Sequence, residues 1–96
     1  MTKYQKYCQQ MLSLNEEAFA KFKVVHDKYA ADAGAHQKEF NEIGRDIQDI
    51  IRDWEDRLCS HSENSGYGKF SSTLSDKFWE EIRKVFPKID HIGLLA

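Results

Sequence analysis

The sequence predicts an all-α fold: a long antiparallel helical hairpin with a shorter third helix, together a bundle of three or four helices. Apolar residues recur at steps of three and four over most of the chain, which is the period of helices that bury one face. Pro87 is the only proline among 96 residues, so long stretches are free to be helical. Charged residues make up 31% and hydrophobic residues 41%, the balance of one globular domain rather than of a disordered chain.

The first predicted helix covers about residues 2–33. Its apolar positions form a seam with a period near 3.5, which is typical of a helix that packs along its length against another helix. The members of this seam are Tyr4, Cys8, Met11, Asn15, Ala18, Phe22, Val25 and Tyr29. Ser13 and Glu16 match a capping box, so a short helix to about Leu12 followed by a longer one is the alternative. Because the seam keeps its phase across Asn15, we expect one continuous helix.

The second predicted helix covers about residues 35–60. Before it, the stretch "DAGAH" predicts a turn, with Gly34 just past the end of the first helix. The second seam consists of Phe40, Ile43, Ile47, Ile50, Trp54 and Leu58. Gly44 lies beside this seam, where glycine weakens a helix by up to about 1 kcal/mol relative to alanine unless it allows a close backbone approach. A short turn between two seamed helices predicts an antiparallel hairpin.

The last third of the chain predicts a Gly/Ser loop at 61–72, a helix at about 73–86 and an apolar tail at 87–96. Thr73 and Asp76 can cap this third helix, and Pro87 ends it. Its apolar stripe consists of Leu74, Phe78, Ile82, Val85 and Ile89, widened by Trp79 and Phe86. We expect the tail to dock on the domain or on a partner.

The lengths of these helices predict an association. A helix of about 26 residues is roughly 40 Å long, whereas a compact chain of this size has a diameter of about 32 Å. The third helix, about 21 Å long, covers only about half of the hairpin. We therefore expect a second copy, or another protein, to cover the remaining apolar half. The alternative is a closed four-helix monomer, in which the first helix breaks at Ser13 and folds back.

Charge and hydropathy exclude some classes of partner. There is no run of about 18 apolar residues that could span a membrane. The formal net charge is −2 and no segment is a basic stripe, so a nucleic-acid partner is not expected. The N-terminal stretch lacks the apolar region of a secretory signal, which predicts a cytoplasmic location with Cys8 and Cys59 as reduced thiols.

A metal site is the alternative function. His36 and Glu39 share a helical face, and Cys59 and His61 follow in C-x-H spacing, with His26 elsewhere. Zinc prefers about four ligands from two close pairs, and di-iron bundles need two Glu-x-x-His units. Here one pair is close, and "HQKE" occurs once in the reverse order. The sequence therefore predicts no cofactor, and keeps this set as the alternative.

An anion site is a further alternative at the stretch "SGYGKFSS". Lys69 and Ser72, with the backbone amides that start the third helix, could hold a phosphate or a carboxylate. The stretch does not match the nucleotide-binding pattern G-x-x-x-x-G-K-[ST], and no strand precedes it. We expect a Gly/Ser joint between helices.

Catalysis is not expected, because a nucleophile needs a base that a third group holds in place. Cys8 lies in the first seam, and Cys59 and His61 point to different sides of a helix. Aromatic residues off the main stripes, together with the apolar tail, are candidate interface anchors. They are Tyr7, Phe19, Trp79, Ile92, Leu94 and Leu95. The sequence thus predicts a non-catalytic helical interaction module, a homodimer that binds a protein partner.

Overall fold

A computed structural model describes residues 2–63 and 68–93, with side chains at 2–60 and 73–93. These residues form a compact all-α globule, which confirms the all-α part of the predicted fold class. The helices are α1 (Lys3–Leu14), α2 (Glu16–Ala31), α3 (Ala33–Glu63) and α4 (Gly68–Val85), followed by a short 3-10 helix at Ile89–His91. In the described part of the chain, no helix is both long enough and apolar enough to cross a membrane.

The first helix is not continuous, which corrects the expectation of one helix over 2–33. The carbonyl of Met11 accepts hydrogen bonds from both the backbone N–H and the side-chain Nδ2 of Asn15, at 3.1 and 3.0 Å. Asn15 itself leaves the helical conformation, with φ −122° and ψ 36°. A side chain that competes for backbone groups in this way favours a helix end. The break therefore falls at Asn15, two residues after the capping-box serine that suggested it.

The break does not fold α1 back onto α2. The ring of Tyr7 in α1 lies 6.1 Å from that of Trp54, in the second half of α3. The ring of Phe22 in α2 lies 5.5 Å from that of Phe40, in the first half of α3. The two short helices therefore follow one another antiparallel to α3. The molecule is elongated, with extents of 46 × 25 × 19 Å, and α3 with its 31 residues accounts for the long axis.

The turn between α2 and α3 is shorter than predicted. Asp32 alone separates the two helices, and its Oδ1 accepts the backbone N–H of Ala35 at 3.3 Å, which caps α3. Gly34 lies inside α3 and has no left-handed backbone. At the other end, α3 continues to Glu63 and α4 begins at Gly68, so both helices extend into the 61–72 region predicted as loop.

The helix α4 lies alongside α1 and the second half of α3. The carboxylate of Glu55 in α3 accepts hydrogen bonds from the hydroxyl of Ser75 and the indole N–H of Trp79. The Lys77 ammonium lies 5.7 Å from the centre of the Tyr4 ring. The largest fully buried side chains are Phe22, Phe40, Phe78, Phe86, Met11, Ile47, Ile51, Leu58, Ile82 and Ile89.

Candidate functional site

The C-terminal segment, residues 86–93, covers the part of the hairpin formed by α2 and the first half of α3. Pro87 lacks a backbone N–H, and α4 ends at Val85. Phe86, Ile89 and Ile92 follow at steps of three and are 2%, 1% and 8% exposed. The space that they fill lies between α2 and the first half of α3 and is called the hairpin groove. The apolar half predicted to need a second protein is thus covered within one chain.

Phe86 anchors the start of the C-terminal segment. Its ring stacks on that of Phe19 at 5.9 Å and meets Phe22 and His26 edge-on at 5.0 and 5.5 Å. Aromatic pairs at such distances contribute about 0.5–1.5 kcal/mol each beyond the area that they bury. The ammonium of Lys23 lies 5.8 Å from the centre of the Phe86 ring. This cluster fixes the point at which the chain enters the hairpin groove.

Gly44 makes room for Ile92 at the other end of the C-terminal segment. A Cβ placed on Gly44 would lie 2.7 Å from Cγ1 of Ile92 and 2.8 Å from both Cδ1 and Cγ2. Carbon atoms without a bond between them do not approach so closely, so any side chain at this position of α3 would have to displace Ile92. The sequence already indicated this exception: a glycine beside a helical seam can be required where another part of the chain packs close to the helix backbone.

Three side chains of the hairpin bind the main chain of the C-terminal segment. His26 Nε2 accepts the N–H of Lys88 at 3.1 Å, and Asn41 Oδ1 accepts the N–H of Gly93 at 2.8 Å. Gln37 Nε2 donates to the carbonyl oxygen of His91 at 3.2 Å. Because the bonds go to the backbone, they fix the path of the segment whatever side chains it carries at those positions.

A buried polar network holds these side chains in position. The hydroxyl of Tyr29 donates to Gln37 Oε1 at 2.8 Å, and Gln37 Nε2 also donates to Asn41 Oδ1 at 2.7 Å. The Tyr29 ring stacks on Phe40 with 4.1 Å between centres. The described residues contain no buried side-chain nitrogen or oxygen without a hydrogen-bond partner. A fully satisfied network of this kind specifies one arrangement of the site.

Charged residues at the edge of the site add weaker links. His26 Nδ1 lies 3.2 Å from Asp27 Oδ1, and since Nε2 accepts a hydrogen bond, Nδ1 carries the proton. This hydrogen bond, with help from Lys23, holds the pKa of Asp27 below its usual value. Arg83 in α4 forms an ion pair with Asp90 at 2.7 Å, which lowers the pKa of Asp90.

Sequence reasoning missed the polar residues of this site. The sequence pattern assigns His26 only to the metal set and gives Gln37 and Asn41 no role. The available signal was the spacing of Gln37, Asn41 and Gly44, which places two amides and a glycine on one face of α3 at i, i+4 and i+7. Amides on the buried side of a helix need partners, and these came from the far end of the chain.

The proposed metal ligands do not meet. His36 and Glu39 lie near the start of α3, and Cys59 and His61 lie near the end of the same helix. Twenty residues of helix separate the two pairs by about 30 Å. Among the described residues, no three His, Cys, Asp or Glu side chains come close enough together to hold a metal ion. The side chain of His61 lies outside the described residues.

The remaining predicted site residues are dispersed. The side chains of Lys69 and Ser72, the anion alternative, and the whole of Leu94 and Leu95 lie outside the described residues. The other four interface candidates contact this chain itself. Phe19 and Ile92 are buried in its core, Tyr7 packs edge-on against Trp54, and Trp79 donates to Glu55. Phe19 and Ile92 therefore do not form a free surface here, because the core already uses them.

The chain matches no family model, no curated protein and no solved structure. The fold and the site define an all-α protein whose helical hairpin holds a short peptide segment in a groove. Its function is argued below from the contacts in that groove.

Proposed function

We propose that this chain is a non-catalytic helical protein-interaction module that binds peptide segments in the hairpin groove. The observation that carries the proposal is the way the C-terminal segment is held. Three apolar side chains of the segment are buried, and three hairpin side chains bind its main chain. Peptide-binding grooves combine the same two elements: main-chain hydrogen bonds supply affinity, and pockets for individual side chains supply specificity.

The chemistry of Cys8 supports a non-catalytic role. A cavity of about 450 Å³ between α1 and α4 is lined by Cys8 together with Gln5, Glu81 and Lys84. Burial, and to a lesser degree the nearby Glu81 carboxylate, raises the pKa of Cys8 to about 11. A thiol with this pKa is almost fully protonated at neutral pH and is a poor nucleophile. Glu81 and Lys84 form an ion pair with each other.

The proposal retains the homodimer and the protein partner that the sequence predicted, as a helical bundle completed by a second copy. An uncovered apolar half of the hairpin no longer supports the homodimer, since that half is already covered within the chain. Association therefore has to use the hairpin groove by exchange of its occupant, or a surface outside it. Cys8 and Cys59 are both thiols, the state expected in a reducing compartment such as the cytoplasm, where we place the protein.

The test is the mass of the purified protein in solution, measured by light scattering over a concentration series. Metal content is determined on the same sample. We expect a concentration-dependent dimer without stoichiometric metal, because association follows mass action. A monomer at every concentration would contradict the homodimer. A monomer with stoichiometric zinc or iron would contradict the whole proposal in favour of a metal-binding protein.

A further inference from the structure

The cavity of about 450 Å³ between α1 and α4, called here the α1–α4 cleft, shares no lining residue with the hairpin groove. The side of the cleft that α1 forms consists of four side chains on one helical face, Gln5, Cys8, Gln9 and Leu12. The side that α4 forms consists of Glu81, Lys84 and Val85. Small-molecule sites are concave, have volumes of this order and combine apolar walls with a few polar groups that orient the ligand.

The apolar part of the α1–α4 cleft consists of Cys8, Leu12 and Val85. Cys8 is 5% exposed, Leu12 is half-buried against the core, and Val85 is 36% exposed. Because burial keeps the Cys8 thiol protonated at neutral pH, it behaves as a small apolar group. A hydrocarbon placed in this part of the cleft would therefore be removed from water by three apolar side chains.

The polar part of the α1–α4 cleft carries one buried charge. The side chain of Glu81 is 15% exposed, whereas that of Lys84, its ion-pair partner, is 70% exposed. Solvent screens an exposed charge much more than a buried one, so the carboxylate of Glu81 sets the sign of the field inside the cleft. The hydrogen bond and the charge of Glu81, and to a lesser degree the charge of Glu80, raise the pKa of Lys84. The position beside Glu81 thus already stabilises an ammonium group.

We propose that the α1–α4 cleft binds a small amphipathic amine, whose ammonium pairs with Glu81 and whose hydrocarbon part lies against Cys8, Leu12 and Val85. The ammonium of Lys84 can give way, because it is on a long side chain that is mostly exposed and an exposed ion pair is weak. A ligand amine gains the burial of its own hydrocarbon in exchange. An ammonium has three N–H donors, and Gln9, which also lines the cleft, offers an amide oxygen as a further acceptor.

The experiment titrates the full-length protein with three probes that share a six-carbon chain: hexylammonium, 1-hexanol and hexanoate. Binding is followed by the backbone amide resonances of Cys8, Leu12 and Val85. We expect saturable shifts with hexylammonium, binding of 1-hexanol that is about tenfold weaker because it lacks the charge-assisted bond, and no binding of hexanoate. Equal affinities for the three probes, tighter binding of hexanoate, or no saturable shift with hexylammonium up to about 50 mM would overturn the proposal.

Two variants assign the charge that holds the ammonium. Glu81→Gln removes the buried carboxylate with little change of shape, and it should lower the affinity for hexylammonium to that for 1-hexanol. Glu80→Gln is the matched control, since it removes the same charge from the exposed neighbour and should leave the affinity nearly unchanged. An equal loss in both variants would show a general charge effect and overturn the site. Circular dichroism confirms that each variant is folded.

Lys84→Met is a second and independent variant, which keeps the proposal testable if Glu81→Gln does not fold. It removes the ammonium that competes for Glu81, so the affinity for hexylammonium should rise. Loss of binding in this variant would overturn the assignment to Glu81.

The source of the amine is tested with Nα-acetyl-lysine amide, which carries the same ammonium on a chain that ends in peptide groups. We expect it to bind more weakly than hexylammonium, because the walls of the cleft are apolar where those peptide groups would lie. Binding as tight as that of hexylammonium would overturn the small amine as the occupant, in favour of a lysine side chain of another protein.

Discussion

Replacement of Gly44 with alanine should destabilise this protein, although the same change stabilises most helices. In an ordinary helix interior, alanine is favoured over glycine by about 1 kcal/mol. Here the added Cβ would lie 2.7–2.8 Å from three side-chain carbons of Ile92. If Ile92 leaves its position, the loss of its burial costs about 1.5–3 kcal/mol. If it stays, overpacking costs about 1–3 kcal/mol. Either cost outweighs the gain in helix propensity from alanine, and we expect the free energy of unfolding to fall by about 1 kcal/mol.

The assay is urea unfolding followed by circular dichroism and tryptophan fluorescence, in a double-mutant cycle with Ile92→Ala. Alanine at 92 lacks Cγ1, Cγ2 and Cδ1, the three atoms that meet the new Cβ. In that background Gly44→Ala should stabilise by about 1 kcal/mol, as in a plain helix. The coupling energy between the two sites is then about 2 kcal/mol, within the range of residues in direct contact. In thermal unfolding, a net loss of about 1 kcal/mol lowers Tm by about 4–8 °C.

Gly34→Ala is the matched control in the same helix. A Cβ at Gly34 meets only Asp32 Oδ1 at 3.9 Å, an ordinary contact, so this variant should be neutral or more stable. The reasoning is refuted if Gly44→Ala stabilises the wild type as much as it stabilises the Ile92→Ala background. That result would mean that Ile92 does not lie over Gly44 in solution.

Three further predictions concern other parts of the molecule. Ile47→Asp, a charge at a position only 1% exposed, should abolish helical circular dichroism, and a folded variant would show that the core is misplaced. Iodoacetamide at pH 8 should alkylate half-buried Cys59 well before Cys8, whose pKa is raised to about 11, as read by mass spectrometry of digests; equal rates would contradict the burial of Cys8. The Arg83 ion pair lowers the pKa of Asp90, so it stabilises the fold above about pH 4 and this contribution is lost as pH falls through the lowered pKa. Asp90→Asn should therefore cost about 0.2–1 kcal/mol at pH 7 and progressively less as the pH falls below about 4 in urea unfolding.

The sequence located the buried faces better than it located the individual buried residues. It placed Ile50 in the second seam, whereas the structure fully buries Ile51 and leaves Ile50 half-buried. The α-helix has 3.6 residues per turn, so a strict 3.5 repeat drifts by about 20° per heptad. In addition, α3 packs against α1 and α2 and also against α4, and a helix with several neighbours buries a wider face than a two-helix seam.

The break at Asn15 shows a limit of local pattern. The apolar seam runs through Asn15 without a change of phase, and the structure keeps α1 and α2 along the same partner helix. The apolar period therefore predicted correctly that both segments pack along α3, but it predicted wrongly that they form one continuous helix. At the break the Asn15 side chain donates a hydrogen bond to the carbonyl of Met11, a local contact that the apolar period does not encode.

The candidate site was the part least open to sequence reasoning. Metal ligands were grouped because their types suit a metal, but His36 and Cys59 lie on one helix too long to bring them together. Gly44 was noted as an exception in its helix, and the structure shows the side chain for which it makes room. The hydrogen bonds of the groove join residues 52, 54 and 62 positions apart.

The sequence by itself determined the all-α class and the end of the last long helix before Pro87, and it predicted from the helix lengths that a second protein covers half of the hairpin. Each of these follows from local rules: the period of apolar residues, the geometry of proline and the rise of a helix. Only the tertiary structure decided that the cover is Phe86, Ile89 and Ile92 of the same chain. That choice depends on shape and hydrogen bonding between distant residues, the fit of Ile92 over Gly44 above all, and no local period encodes it.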